Sequence, residues 1–158
     1  MRQADTSHDG IDLETSLGYL LKEASSTLRS AMEAVLRPLG MTVTQYSCLE
    51  LLAQRPGLSN SELARGAFVT RQSMNVLLQA LERDGYVIRP AEGRVGKVLP
   101  TQLTARGRRS LEKATVAVRS VEVRMTAGMT QEERSGAFLI LQSMIRSLRN
   151  DEEGGAPR

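Results

Sequence analysis

Cysteine, histidine and tryptophan are almost missing from this chain of 158 residues, which carries one Cys, one His and no Trp. A single thiol, Cys48, excludes an internal disulfide framework. The lone imidazole, His8, lies near the N-terminus, so the usual Cys/His ligand sets of zinc have no basis and mostly carboxylates would remain to hold a metal. Two Phe and three Tyr cannot build the core of a β-sandwich. That core falls to Leu, Val, Ala and seven Met, which suits helix packed on helix. Apolar runs long enough to cross a bilayer are lacking, and the first ten residues hold no apolar stretch of a signal peptide, so a cytoplasmic protein is expected. Gly93 and Gly96 lack the strand-to-helix context of a nucleotide-binding loop, and no carboxylate pair suggests a cleft. Neither catalysis nor a cofactor is expected.

What is present begins at Leu58. In Ser59-Asn60-Ser61-Glu62 a hydroxyl stands three residues before a carboxylate, a spacing that lets the two side chains satisfy each other's orphan N–H groups as a capping box. A helix should start there and be short, because Gly66 and the β-branched Val69 follow. Thr70 then offers a fresh N-cap after a four-residue turn. From Arg71 to Arg83, Met74, Leu77, Leu78 and Leu81 recur at i, i+3, i+4 and i+7, a stripe that must be buried, with Gln72, Val76, Gln79 and Arg83 opposite. Gly85 suits the left-handed residue that ends a helix, and Tyr86-Val87-Ile88 begins a strand.

Pro90, Gly93 and Gly96 then mark a loop, and Val98 and Leu99 restart an extended run toward Leu103. The result is a β-hairpin with Arg94 and Lys97 at its tip, where charge and slimness together suit an approach to a phosphate backbone. Short helix, turn, helix and hairpin in this order predict a mainly α fold with a small β-wing: a winged helix-turn-helix that reads duplex DNA. Charge agrees, since residues 59–109 hold nine Lys/Arg against four Asp/Glu while the whole chain stands at only +3.

These residues resemble the MarR family (multiple-antibiotic-resistance regulators) over roughly residues 13–149. The resemblance rests on Glu62-Leu63-Ala64, on Val69-Thr70-Arg71-Gln72-Ser73-Met74-Asn75, on Leu81-Glu82-Arg83-Asp84-Gly85-Tyr86-Val87, and on Leu103-Thr104-Ala105-Arg106-Gly107. It implies a dimeric winged-helix transcription factor, usually a repressor, whose DNA affinity falls when a small phenolic or lipophilic molecule binds. It also implies an effector site between the first, second and fifth helices, where Tyr46 matches an aromatic position and Leu20 and Leu49 are candidate lining residues. The family's wing often carries Asp-x-Arg; here those positions are Val95 and Lys97, so the brace is absent and a lysine stands where the arginine would be.

Direct base contact falls most readily to Arg71, Gln72 and Asn75, because Arg can fork onto guanine and Gln or Asn onto adenine. Ser59, Asn60, Thr70 and Ser73 suit phosphates, as do Arg94 and Lys97 in the wing. Outside this reading head, residues 44–103, the chain is helical. Residues 13–37 keep a wide apolar stripe closed by Pro38 and Gly40, and Thr44 is the expected cap of a second helix that ends at Pro56-Gly57. Thr104 should cap a long helix interrupted at Gly128, and Thr130-Gln131-Glu132-Glu133 a last one. Helices over 13–37 and 104–149 carry more apolar surface than a small reading head can cover, which predicts N- and C-terminal dimerisation helices and a homodimer. Residues 1–12 and 150–158 are expected to be disordered tails. Two alternatives stand beside this reading: a thiol-based oxidant sensor acting through Cys48, and a winged helix used as a protein-interaction module.

Overall fold

A computed structural model describes residues 10–89 and 100–154, with side chains to residue 150. Two compact units form, Met1–Val121 and Glu122–Arg158. In the first, Ser16 caps helix α1 (Leu17–Leu36) by accepting from the Tyr19 N–H. The helix therefore begins four residues later than its apolar pattern suggests, because Asp12 holds residues 12–15 in a turn through the Glu14 N–H and the Thr15 hydroxyl. A 3-10 turn (Arg37–Leu39) follows α1 and leads to Gly40 in the left-handed region.

Helix α2 (Val43–Gln54) is capped by Thr42, not Thr44. Val43 is buried and must already be helical, and Thr42 exchanges hydrogen bonds with Gln45 in a full capping box. Helix α3 (Asn60–Gly66) starts on the expected Ser59–Glu62 box. Seven residues would not hold a helix alone in water. Leu63 and Ala64, both buried, fasten it to its neighbours, and burying a leucine of this kind is worth about 1.5–3 kcal/mol. Helix α4 (Arg71–Arg83) is capped by Thr70 and turns Met74, Leu78 and Leu81 inward as its periodicity requires. Gly85, at φ +80°, reverses the chain into β1 (Val87–Ile88), which pairs antiparallel with β2 (Gln102–Leu103) in the register Val87 to Leu103 and Ile88 to Gln102. This is the base of the expected hairpin; its residues 90–99, including Val98 and Leu99, lie outside the described residues.

Helix α5 (Ala105–Met125) is bound to the hairpin base at its first turn. The Thr104 hydroxyl donates to the Gly85 carbonyl at 2.6 Å and accepts from the Gly107 N–H, while the Thr104 N–H donates to the Tyr86 carbonyl at 3.1 Å. Gly107 passes so close to that strand that a Cβ on it would stand 2.1 Å from the Tyr86 oxygen. The Arg106 guanidinium lies 5.1 Å from the centre of the Tyr86 ring. One core joins Leu36, Cys48, Leu49, Leu63, Met74, Leu78, Leu81, Val87, Leu111, Ala114 and Val118, so α1 to α5 and β1 close around a single apolar centre.

The second unit is built on α6 (Gln131–Gly154), opened by the reciprocal Thr130–Glu133 box that its sequence predicts. Its backbone stays helical through residue 154, five residues beyond the expected end at 149. Phe138, Leu141, Ile145 and Leu148 are exposed in the single chain.

Candidate nucleic-acid interface

Helix α4 has two unlike faces. Met74, Leu78 and Leu81 sit in the core, and α3 and β1 pack beside them. Arg71, Gln72, Asn75, Val76, Gln79 and Arg83 all face solvent. A helix pinned along one side and polar along the other presents its outer side chains in fixed register, which is what a groove reader needs. Arg71 occupies the first helical turn and makes no salt bridge among the described residues, so its five donors are available.

The hydroxyls around the helix start are partly committed. Thr70 Oγ1 accepts from the Ser73 N–H at 3.1 Å and donates to Ser73 Oγ at 2.9 Å. Ser59 Oγ accepts from the Glu62 N–H, while Glu62 accepts from the Ser59 N–H at 2.7 Å. The Ser59 backbone N–H, and then a hydrogen bond from the Ser59 side chain to the carboxylate, hold the Glu62 carboxyl below its ordinary pKa. Glu62 therefore stays ionised at neutral pH, and its share of the cap is lost only as pH falls through that lowered value. Asn60 and Asn75, expected in separate roles, are joined: Asn60 Nδ2 donates to Asn75 Oδ1 at 2.8 Å.

The wing base is braced against α4 as well, because Arg89 Nε reaches Glu82 Oε2 at 2.7 Å. The expected tip residues Arg94 and Lys97, with Val95 between them, lie outside the described residues. Ser59, Asn60, Thr70, Arg71, Gln72, Ser73 and Asn75 are all carried by α3, α4 or their caps.

Known proteins align with this arrangement. The family model described as MarR family matches residues 39–107. The HTH-type transcriptional repressor Rv2887 of Mycobacterium tuberculosis is 44% identical over 125 residues, spanning 79% of this chain and 90% of the relative. The chain belongs to the MarR family. Two crystal structures of the Mycobacterium tuberculosis MarR family protein Rv2887 superpose on this MarR protein. Its complex with DNA does so at TM-score 0.67 and 41% identity, covering 82% of this chain and 97% of that one. Its complex with salicylic acid gives TM-score 0.68 and 43% identity, covering 82% and 96%.

Two apolar residues on α4 and in the turn before it, neither singled out as a contact from the sequence, are exposed in this MarR protein. Val76 is 63% exposed on the outer face of α4, one turn after Gln72, and an aliphatic group there matches the methyl of thymine. Its i+4 spacing from Gln72 was the available signal. Phe68, in the turn before α4, is 89% exposed and holds φ +59°, a conformation that bulky residues rarely adopt. Nothing in the sequence pattern announces that backbone.

The expected effector residues are spread apart in character. Leu20 is exposed on α1, Tyr46 is half-buried on α2 and Leu49 is wholly buried in the core. A cleft of about 240 Å³ is lined by Tyr46, Ser47, Glu50, Leu51, Gln54 and Arg55, without Leu20 or Leu49. Cys48 is fully buried, with its Sγ 3.8 Å from Met74 Sδ, and burial pushes its thiol up to about 12. A buried thiol held so far from ionising is a poor nucleophile toward peroxide, which argues against the oxidant-sensing alternative. Among the described residues no His/Cys/Asp/Glu cluster could hold a metal ion, and no helix is long and apolar enough to cross a membrane.

Proposed function

We propose that this chain is a homodimeric, cytoplasmic repressor that reads a pseudo-palindromic operator through α4 and is released by a small aromatic acid. The observation that carries the reading is α4 itself, with Met74, Leu78 and Leu81 buried beneath an outer row of Arg71, Gln72 and Asn75. These three contact base edges, with Val76 beside them. Ser73 and Thr70, with Ser59 and Asn60 across the turn, meet phosphates, and Arg94 and Lys97 carry the wing's charge to the backbone. Residues 44–103 form the reading head. The helices within 13–37 and 104–149 form the dimer body, supported by the exposed Leu17 and Leu20 of α1 and Phe138 and Leu148 of α6. Two copies then place their α4 helices about 34 Å apart in successive major grooves.

Salicylic acid bound to Rv2887 suggests the effector class. Tyr46 lines the cleft described above, and Arg55 in the same cleft supplies a cation for a carboxylate. Such a ligand lowers DNA affinity by the ratio of its affinities for the two arrangements. The protein-interaction alternative does not require the outer polar row of α4. Selection of bound sequences from a random duplex library tests the proposal. A two-fold symmetric winner, weakened by millimolar salicylate, is expected. Failure to enrich any sequence contradicts operator reading, and a winner indifferent to aromatic acids contradicts the effector assignment alone.

A further inference from the structure

We infer that Asn60 is a positioning residue for base choice: it locks the carboxamide of Asn75 so that α4 offers one fixed donor–acceptor edge to a single base of each half-site. The inference rests on the operator-reading proposal and adds a residue that sets its specificity.

An unrestrained asparagine amide can turn over, exchanging its oxygen for its nitrogen, and would present either order of donor and acceptor to a base. Here Asn60 Nδ2 donates to Asn75 Oδ1 at 2.8 Å. Turning Asn75 over alone would set two NH2 groups against each other and lose that bond, so Asn75 can turn only if Asn60 turns with it, and the pair orders the amide before DNA arrives. The anchor is rigid. Asn60 is the first residue of α3, next to the Ser59–Glu62 box, and Asn75 stands on α4 one residue beyond the buried Met74. Leu63 and Ala64 of α3 share the core with Met74 and Leu78 of α4, which fixes the spacing of the two helices.

The bond to Asn60 uses one lone pair of Asn75 Oδ1. The second lone pair and the Nδ2 hydrogens remain, an acceptor beside a donor. Adenine is the base whose major-groove edge is complementary, with the N6 amino group donating and N7 accepting, whereas guanine offers two acceptors there. The half-site position under Asn75 is therefore adenine. Its preference is set by the pair, not by Asn75 alone.

Three variants and the wild type, each carried through sequence selection and then through affinities on duplexes changed at one symmetric pair of positions, provide the test. Asn75→Ala identifies the position, where adenine preference of about tenfold or more should vanish. Asn60→Ala should relax preference at that same position while other positions keep theirs. Asn60→Asp is the sharper variant, because a carboxylate only accepts and would draw Asn75 Nδ2 toward itself, turning its oxygen to the base. It should lose the adenine preference while keeping the fold, since Asp is favourable in the first turn of a helix. Added negative charge will weaken all duplexes, so the readout is the ratio between bases and not the affinity. Even losses across all sequences in both Asn60 variants, with adenine preference intact, would overturn the inference and make Asn60 a phosphate contact. A wild type that enriches no sequence would overturn the operator reading beneath it.

Discussion

Gly107→Ala should destabilise the protein although it replaces glycine by the best helix former inside a helix. In an open helix the change would stabilise by about 0.5–1 kcal/mol. At this site the new Cβ would stand 2.1 Å from the Tyr86 carbonyl oxygen, where real Cβ atoms do not come within 3.0 Å. Helix α5 and the chain at Tyr86 must separate by about 1 Å, because the atom met is a backbone oxygen and no side chain can move in its place. Separation strains the Thr104 N–H bond to Tyr86 and the 2.6 Å bond from the Thr104 hydroxyl to Gly85. Overpacking of this kind costs about 1–3 kcal/mol, and each weakened hydrogen bond about 0.5–1.5 kcal/mol. The net expectation is a loss of about 2 kcal/mol, which for a chain of this size lowers the melting temperature by about 4–8 °C. Thermal unfolding of both proteins at one concentration, required because dimerisation contributes to apparent stability, measures it. Operator affinity should fall as well, since the same contact aims the wing base. A Gly107→Ala protein that melts at or above the wild-type temperature would refute the reasoning.

Phe68→Gly should raise stability by about 1 kcal/mol, because a left-handed conformation costs an L-residue about 1–2 kcal/mol and Phe68 recovers little by packing; urea unfolding gives the sign. Cys48 should resist a thiol reagent at pH 8 until the protein unfolds, and stoichiometric peroxide should leave operator affinity unchanged; rapid native-state labelling would contradict its burial. Arg71→Ala should cost about 1–3 kcal/mol on the operator and relax one base position. Equal losses on operator and random duplex in binding titrations would instead make Arg71 a phosphate contact.

Local chemistry was the legible part of this molecule. Ser59–Glu62, Thr70, Thr104 and Thr130–Glu133 cap the helices that their spacing predicts, and of the stripe expected to be buried Met74, Leu78 and Leu81 are, while Leu77 is half-buried. Where two residues of one kind competed, the pattern erred: Thr42 took the cap expected of Thr44, because Val43 had to be buried within the helix. The start of α1 was misjudged for a related reason, since leucine periodicity continues through residues 13–15 although Asp12 ties them into a turn. Relations between distant residues left no trace in the spacing. Asn60 and Asn75 are fifteen residues apart on different helices, and Gly107 reads only as a weak helix residue until its carbonyl neighbour is seen. Leu49 was a candidate lining residue of the effector site yet lies wholly within the core.

The central claim is that two copies of α4 read one duplex. Affinity and stoichiometry on the selected operator across a salt series test it most directly. The account predicts two chains per duplex and a steep fall of log affinity with log salt, as phosphate contacts release their counterions. One chain per duplex, or an affinity indifferent to salt, would contradict it.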